Sequence, residues 1–253
     1  MFINKLKKTL KSGGAALGTF ITCDVPDFVE VAGLSGFDFI VIDTEHGPLS
    51  VETTQNLIRA AELRGLTPIT RVTESSDTTI LRSLDVGAHG IQVPQVNNKE
   101  VAQSVMNAAK YFPSGNRGLA MPRASNYATM DPLSYFEKAN SETLIVIHCE
   151  NKVGLENLDE IVKVPGIDVI FLGPFDMSQS LGIPGQLNHP LIQDAADRVL
   201  KVCKETGKAA GIFVPNGEQA KLRISQGFQY ITIGLDFTLF ANGCKNELKK
   251  VKG

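Results

Sequence analysis

Along the chain, short apolar runs alternate with longer segments in which apolar residues recur at helical spacing. The runs are Ala15–Phe20, Phe37–Asp43, Pro68–Arg71, Gly90–Pro94, Leu144–Glu150, Val169–Leu172, Ala209–Phe213 and Tyr230–Gly234. They are strand-length, rich in Val, Ile and Phe, and predict strands covered on both faces. Between them, Val51–Arg64, Thr78–Val86, Lys99–Lys110, Leu155–Val162, Leu191–Thr206, Glu218–Gln226 and Phe237–Lys249 read as helices. The first of these puts Leu57, Ile58, Ala61 and Leu63 on roughly one face. Glycines at 36, 65, 87, 207 and 227 stand where helices should close before the next strand. Phe2, Leu6 and Leu10 predict a short amphipathic N-terminal helix covering one end of the fold.

Strand then helix, repeated eight times, predicts an α/β fold: a single-domain TIM-type (β/α)8 barrel over residues 1–253. A doubly wound open sheet is the rival, but the first strand-to-helix turn, Ile21–Pro26, lacks its glycine fingerprint. The longest irregular piece, Pro113–Leu133, contains Arg117 and Arg123. A loop of that length in a small domain is usually functional.

Composition narrows the partners. Hydrophobic residues make up 43% and charged residues 21% of the 253, and the net charge is −2. That balance gives no electrostatic case for nucleic acid or an anionic membrane. No apolar run approaches the roughly 20 residues of a membrane span. The lysines at 5, 7, 8 and 11 are followed by no apolar stretch of the signal-peptide kind. The four cysteines are far apart and form no C-x-x-C pair, which suits structural thiols in a reducing compartment. The expectation is a cytoplasmic protein.

In such barrels the reacting groups stand at the C-terminal ends of the strands. Here those ends carry Asp43 with Glu45 and His46 just beyond it, Arg71, His148-Cys149-Glu150, and Gly173-Pro174-Phe175-Asp176. Strand alternation places His148 and Glu150 on one face and Cys149 on the other. Glu150 and Asp176 lie 26 residues apart, about one β/α repeat, so two carboxylates should meet at adjacent strand ends. Such a pair suits Mg²⁺ or Mn²⁺; the plain alternatives are a helix N-cap for Asp176 and a surface ion pair for Glu150. His46 reads as a general base or as a loop histidine bonded to backbone. Asp85, at an electrostatically unfavourable helix end, either orients a histidine or is one more terminal carboxylate. Arg71 could bind a carboxylate or an enolate oxygen, or pair internally with Asp43 or Glu45. No strand run carries an inward lysine for a Schiff base, so carbonyl chemistry here would need a metal.

Longer stretches then become recognisable. G-F-D-F-I-V-I-D-T-E-H-G-P (Gly36–Pro48), L-D-V-G-A (Leu84–Ala88), R-A-S (Arg123–Ser125), E-N-K-V-G-L-E-N-L-D-E-I (Glu150–Ile161) and P-G-I-D-V-I-F-L-G-P-F-D-M-S (Pro165–Ser178) together resemble the HpcH/HpaI family of class II pyruvate aldolases. The resemblance covers essentially the whole chain. It implies a divalent metal (Mg²⁺, Mn²⁺ or Co²⁺) on Glu150 and Asp176, His46 paired with Asp85 to move the proton, and Arg71 on the pyruvate portion. It implies a substrate site lined by Ser125, Ser178 and the backbone at Gly173 and Pro174, and a homo-trimer or homo-hexamer.

The implied reaction is reversible cleavage of a 4-hydroxy-2-oxo acid to pyruvate and an aldehyde. His148 departs from the family, which often has glutamine there; an inward histidine could contact the pyruvate carboxylate or become a third metal ligand. A lyase or decarboxylase acting on oxaloacetate or a related oxo-acid is the alternative enzyme, and a non-catalytic metal or keto-acid binding barrel is the alternative outside enzymes. The aldehyde should depend on the Pro113–Leu133 loop and the His189 region. Arg117 and Arg123 either point to an acidic or polyhydroxylated aldehyde or are structural charges.

Overall fold

Eight strands close into a parallel barrel in chain order, in a computed structural model that describes residues 3–253. They are β1 (Ala16–Ile21), β2 (Phe39–Asp43), β3 (Thr67–Arg71), β4 (Gly90–Val93), β5 (Leu144–Cys149), β6 (Val169–Leu172), β7 (Ala209–Val214) and β8 (Tyr230–Leu235). β8 pairs back onto β1, with Ala16 opposite Tyr230, which excludes the open sheet. Around the barrel run α1 (Lys5–Lys11), α2 (Pro26–Leu34), α3 (Val51–Leu63), α4 (Asp77–Asp85), α5 (Lys99–Ala109), α6 (Pro132–Glu142), α7 (Lys152–Glu156), α8 (Leu158–Ile161), α9 (Pro174–Ser180), α10 (Pro190–Thr206), α11 (Gly217–Gln226) and α12 (Asp236–Lys252). No helix among the described residues is long and apolar enough to cross a membrane.

Three helices, α2, α6 and α9, fall outside the sequence expectation. α2 and α6 start at Pro26 and Pro132, which read in sequence as breaks, and bury Val29 and Ala32, and Tyr135 and Ala139. α9 is only seven residues long. The single helix expected over Leu155–Val162 is instead two, α7 and α8, broken at Asn157, whose Nδ2 donates to Asn97 O at 2.9 Å. The irregular stretch before β5 ends at Asp131, which caps α6 by accepting the Ser134 N–H.

Strand alternation sorts the core. Ile145, Ile147 and Cys149 pack outward against helix residues such as Val105, Ala195 and Val199. Leu144, Val146, Phe39, Val41, Ile69, Phe171 and Tyr230 fill the lumen. Phe39 can enter it only because β1 has Gly18: a Cβ there would lie 2.4 Å from the Phe39 ring. Leu6 and Leu10 join the same lumen cluster, so α1 plugs the N-terminal end of the barrel as its spacing predicts; Phe2 lies outside the described residues. Burying such a leucine contributes about 1.5–3 kcal/mol. Polar anchors fix the plug. Asn4 Nδ2 donates to His89 O at 2.9 Å, and Lys7 Nζ donates to Thr143 O and Asp168 Oδ2, both at 3.0 Å.

Lys110, just past α5, shares this closed end and donates to Asn140 O at 2.7 Å and Thr143 O at 2.9 Å. Burial, with Lys7 nearby, pushes its ammonium down from 10.5 to about 7. Between those values the unfolded chain holds a proton that the folded chain lacks, so this group makes the protein more stable as pH rises, by up to ~1.4 kcal/mol per unit. Below about 7 both states are protonated and the full penalty remains. The stability of wild type relative to Lys110→Met is therefore expected to rise from pH 7.5 to 9.5, measured by urea unfolding; a flat or falling difference would contradict the buried ammonium.

Candidate active site

At the open end, β2 and β3 finish side by side, with Asp43 paired in register to Arg71. Asp43 is fully buried, and a buried carboxylate requires a partner. Arg71 supplies a two-pronged one: Nε donates to Oδ1 at 2.8 Å, and Nη2 makes a short bond to Oδ2. Arg71 Nη1 also lies 3.2 Å from Glu45 Oε2, and its guanidinium sits over the Phe20 ring, 4.8 Å from the centroid. Asp43 Oδ1 further accepts the backbone N–H groups of Glu45 at 3.1 Å and His46 at 3.2 Å. That turn presents His46 at the mouth, exposed, with no hydrogen-bond partner for its ring among the described residues. Burial pushes the Glu45 carboxyl up, opposed in part by Arg71.

β5 delivers His148 and Glu150 inward, and Cys149 outward as expected, where burial pushes its thiol up to about 12. All four cysteines are free thiols. Glu150 is 2% exposed, so it is not a surface ion pair. Its Oε1 accepts the Gln95 N–H at 2.7 Å and its Oε2 lies 2.5 Å from His148 Nδ1. Burial works to raise this carboxyl, but His148, Gln95 and Arg71 outweigh it and hold it below its ordinary value. Asp176 stands in the first turn of α9, exposed, and does not cap that helix. Between the two carboxylates lies Gly173. A Cβ there would come 2.9 Å from Glu150 Oε2 and 3.9 Å from Asp176 Oδ2, so a side chain would fill the space the two oxygens border.

These oxygens fit a hard divalent cation. Two carboxylates just beyond adjacent strand ends, one held ionised, would leave the remaining positions to solvent and substrate oxygens. No group of three His, Cys, Asp or Glu side chains forms a metal cluster among the described residues. The cavity has a volume of about 250 Å³. Its polar lining is His46, Arg71, His148, Glu150 and Asp176 beside Gly173 and Pro174; its apolar lining is Phe20, Phe171, Phe175, Phe213 and Leu235.

A sequence model of the HpcH/HpaI aldolase/citrate lyase family matches residues 16–243. The chain belongs to that family. It is 32% identical to the 2-keto-3-deoxy-L-rhamnonate aldolase of Salmonella paratyphi A, over 98% of this chain and 93% of that one. It is 34% identical to the hydroxypyruvate/pyruvate aldolase of Roseobacter denitrificans, over 99% and 98%. Among solved structures, the citrate synthase SbnG superposes with a TM-score of 0.88 at 34% identity, over 98% and 97%.

Other expected site residues of this HpcH/HpaI chain stand apart from the cavity. Asp85 ends α4, which runs back from the mouth, so it lies at the closed end of the barrel and accepts from Arg117 Nη2 at 2.7 Å. Within one chain the His46–Asp85 pair is not formed. Arg123 is likewise engaged, by Glu62 and by Val86 O at 3.1 Å, so neither loop arginine lines the cavity. Ser125 is spent on its own turn, donating to Pro122 O at 2.7 Å, and Ser178 on its own, donating to Phe175 O at 2.6 Å. His189 caps α10. His148 reaches the cavity, but Gln92 takes one ring nitrogen and Glu150 the other, which leaves none for a third metal ligand.

Sequence reasoning missed Gln92, Gln95, Tyr230 and the phenylalanine wall. An amide inside the apolar run G-I-Q-V was the available signal. Because the Asp43–Arg71 pair both satisfies a buried charge and pins the His46 turn, Asp43→Ala is expected to cost about 3–5 kcal/mol in urea unfolding. A loss under about 1 kcal/mol would show the pair to be dispensable.

Proposed function

We propose that this protein reversibly cleaves a 4-hydroxy-2-oxo acid to pyruvate and an aldehyde, with Mg²⁺, Mn²⁺ or Co²⁺ held by Glu150 and Asp176. The observation that carries it is the meeting of these two carboxylates beside Gly173, in one cavity with Arg71 and His46. The metal, when bound, supplies Lewis-acid stabilisation of an enolate. Arg71 is held rigid by Asp43 at the cavity wall, where its remaining donors would stabilise the oxygen on which charge collects as the C3–C4 bond breaks. His46 accepts the C4 hydroxyl proton as that oxygen becomes the aldehyde carbonyl. A role for Asp85 at His46 requires a second copy of the chain, and the trimer or hexamer implied by the family resemblance would bring one. Apolar side chains exposed along α12, such as Phe237, Phe240 and Leu248, favour such an assembly.

The cavity wall also bears on the aldehyde. Phe213 packs against Phe20 and Phe175 at ring distances of 6.1 and 5.9 Å, and both loop arginines are engaged elsewhere. An aldehyde with a small or apolar substituent fits this wall better than an acidic one. The likeness to a citrate synthase at 34% identity supports one second reading, bond formation or decarboxylation at an oxo-acid such as oxaloacetate.

Product analysis tests the reading: aldehyde plus pyruvate supports it, whereas CO₂ plus pyruvate or a tricarboxylate product supports the second. Chelation, Glu150→Gln and Asp176→Asn are each expected to abolish cleavage, and chelator-insensitive turnover would sink the metal. His46→Ala should lower kcat by roughly 10²–10⁴-fold; full activity would remove His46 from its role. In the synthetic direction, kcat/KM for propanal should exceed that for a carboxylated aldehyde by roughly ten-fold or more. The opposite order would discount the apolar wall.

A further inference from the structure

Beneath the candidate site a buried polar chain crosses the barrel lumen. The Tyr230 O–H, at the start of β8, donates to Gln92 Oε1 at 2.8 Å. Gln92 belongs to β4, diametrically across the closed barrel, and its Nε2 lies 2.7 Å from His148 Nε2. The chain ends at His148 Nδ1 and Glu150 Oε2. Tyr230 and Gln92 have no solvent exposure, and His148 and Glu150 have 2% each. Phe171 stacks on the imidazole at 4.8 Å, and Phe39 lies 4.3 Å from the Tyr230 ring. Buried away from bulk solvent, each donor in such a network should face an acceptor.

Both ends set the same direction, since the Glu150 carboxylate, held ionised, can only accept from Nδ1. Burial pushes the Tyr230 phenol well above its ordinary value, so it keeps its proton. That proton goes to Gln92 Oε1, which turns the amide NH₂ toward His148. The ring Nε2 must then accept, which leaves the ring proton on Nδ1, facing Glu150. A flipped amide would turn the phenol proton away from its one hydrogen-bond partner among the described residues.

We infer that Tyr230 and Gln92 are positioning residues that hold the His148 ring with its Nε2 accepting from Gln92 and its Nδ1–H on Glu150, and that His148 thereby fixes Glu150 Oε2 in the orientation that borders Asp176. Histidine at 148 acts on the ligand rather than as a ligand: both of its nitrogens are withdrawn from metal and substrate. Groups that orient a metal ligand from behind commonly change metal affinity by roughly 10–100-fold when removed. The inference rests on the reading of Glu150 as a metal ligand, but not on the reaction.

The test uses the full chain with ¹⁵N-labelled histidine, metal-free, the His148 signals being assigned by their loss in His148→Gln. Wild type is expected to show a protonated Nδ1 and a bare Nε2. Tyr230→Phe and Gln92→Leu, shown by circular dichroism to be folded, should move the His148 Nε2 signal, whose Gln92 donor is loosened or lost, and weaken Mn²⁺ binding, read by electron paramagnetic resonance, roughly ten-fold. A purely structural role would lower stability and leave the Mn²⁺ affinity of the folded variants alone. A protonated Nε2 in wild type overturns the inference, and that spectrum decides even if the variants do not fold. An unmoved Nε2 signal, or Mn²⁺ affinity unchanged within about two-fold, in folded variants also overturns it. Mn²⁺ binding with the expected tautomer but no cleavage of any oxo-acid would remove the proposed reaction and leave the inference standing.

Discussion

A closed eight-stranded barrel gives its inward side chains one narrow lumen to share, and everything placed there must either pack or find a hydrogen-bond partner. Here the lower lumen is solved by shape. Leu6 and Leu10 enter from the plug, Phe39 lies over Gly18, and Tyr230 fits between aromatic rings. The upper lumen is solved by pairing. Asp43 takes Arg71, and Glu150 takes His148 and a backbone N–H. The reactive end is thus what remains where apolar filling stops and strand ends can bring charged partners together.

That division explains which groups are rigid. Arg71 is clamped by Asp43, packed on Phe20 and flanked by Glu45, so its guanidinium is presented rather than searching. Asp176, in the first turn of α9, and His46, on the turn after β2, are exposed and depend on the frame around them. Preorganised donors of the first kind stabilise developing charge without a reorganisation cost. Groups of the second kind suit ligands and protons that must arrive and leave.

Much of the fold was readable because strand burial on both faces writes continuous apolar runs, and all eight strands lie within two residues of those runs. α2 and α6 were not: each starts at a proline, Pro26 and Pro132, which in sequence reads as a break although the first turn of a helix tolerates it. In the site, Arg71, His148, Glu150 and Asp176 followed from strand ends and alternation, with Gly173 and Pro174 from the family resemblance. Within one chain Asp85, Ser125 and the two loop arginines stand apart from the cavity: a motif gives sequence distance, whereas α4 carries its C-terminus, with Asp85, to the opposite end of the barrel. Gln92 and Tyr230 stayed hidden because they meet across the lumen, 138 residues apart, where no local pattern links them.

Cys149 and Glu150 are joined by one peptide bond and have opposite electrostatic fates. The thiol, facing the helices, is pushed up to about 12, while the carboxylate, facing the lumen, is held below its ordinary value. The strand therefore acts as an insulator one backbone thick, with an oily compartment on one side and a polarised one on the other. A reagent that attacks thiolates passes Cys149 by, although it borders the candidate reaction centre in sequence, and meets instead the exposed Cys244 of α12. Proximity along the chain says little about chemical exposure here; the side of the sheet decides it.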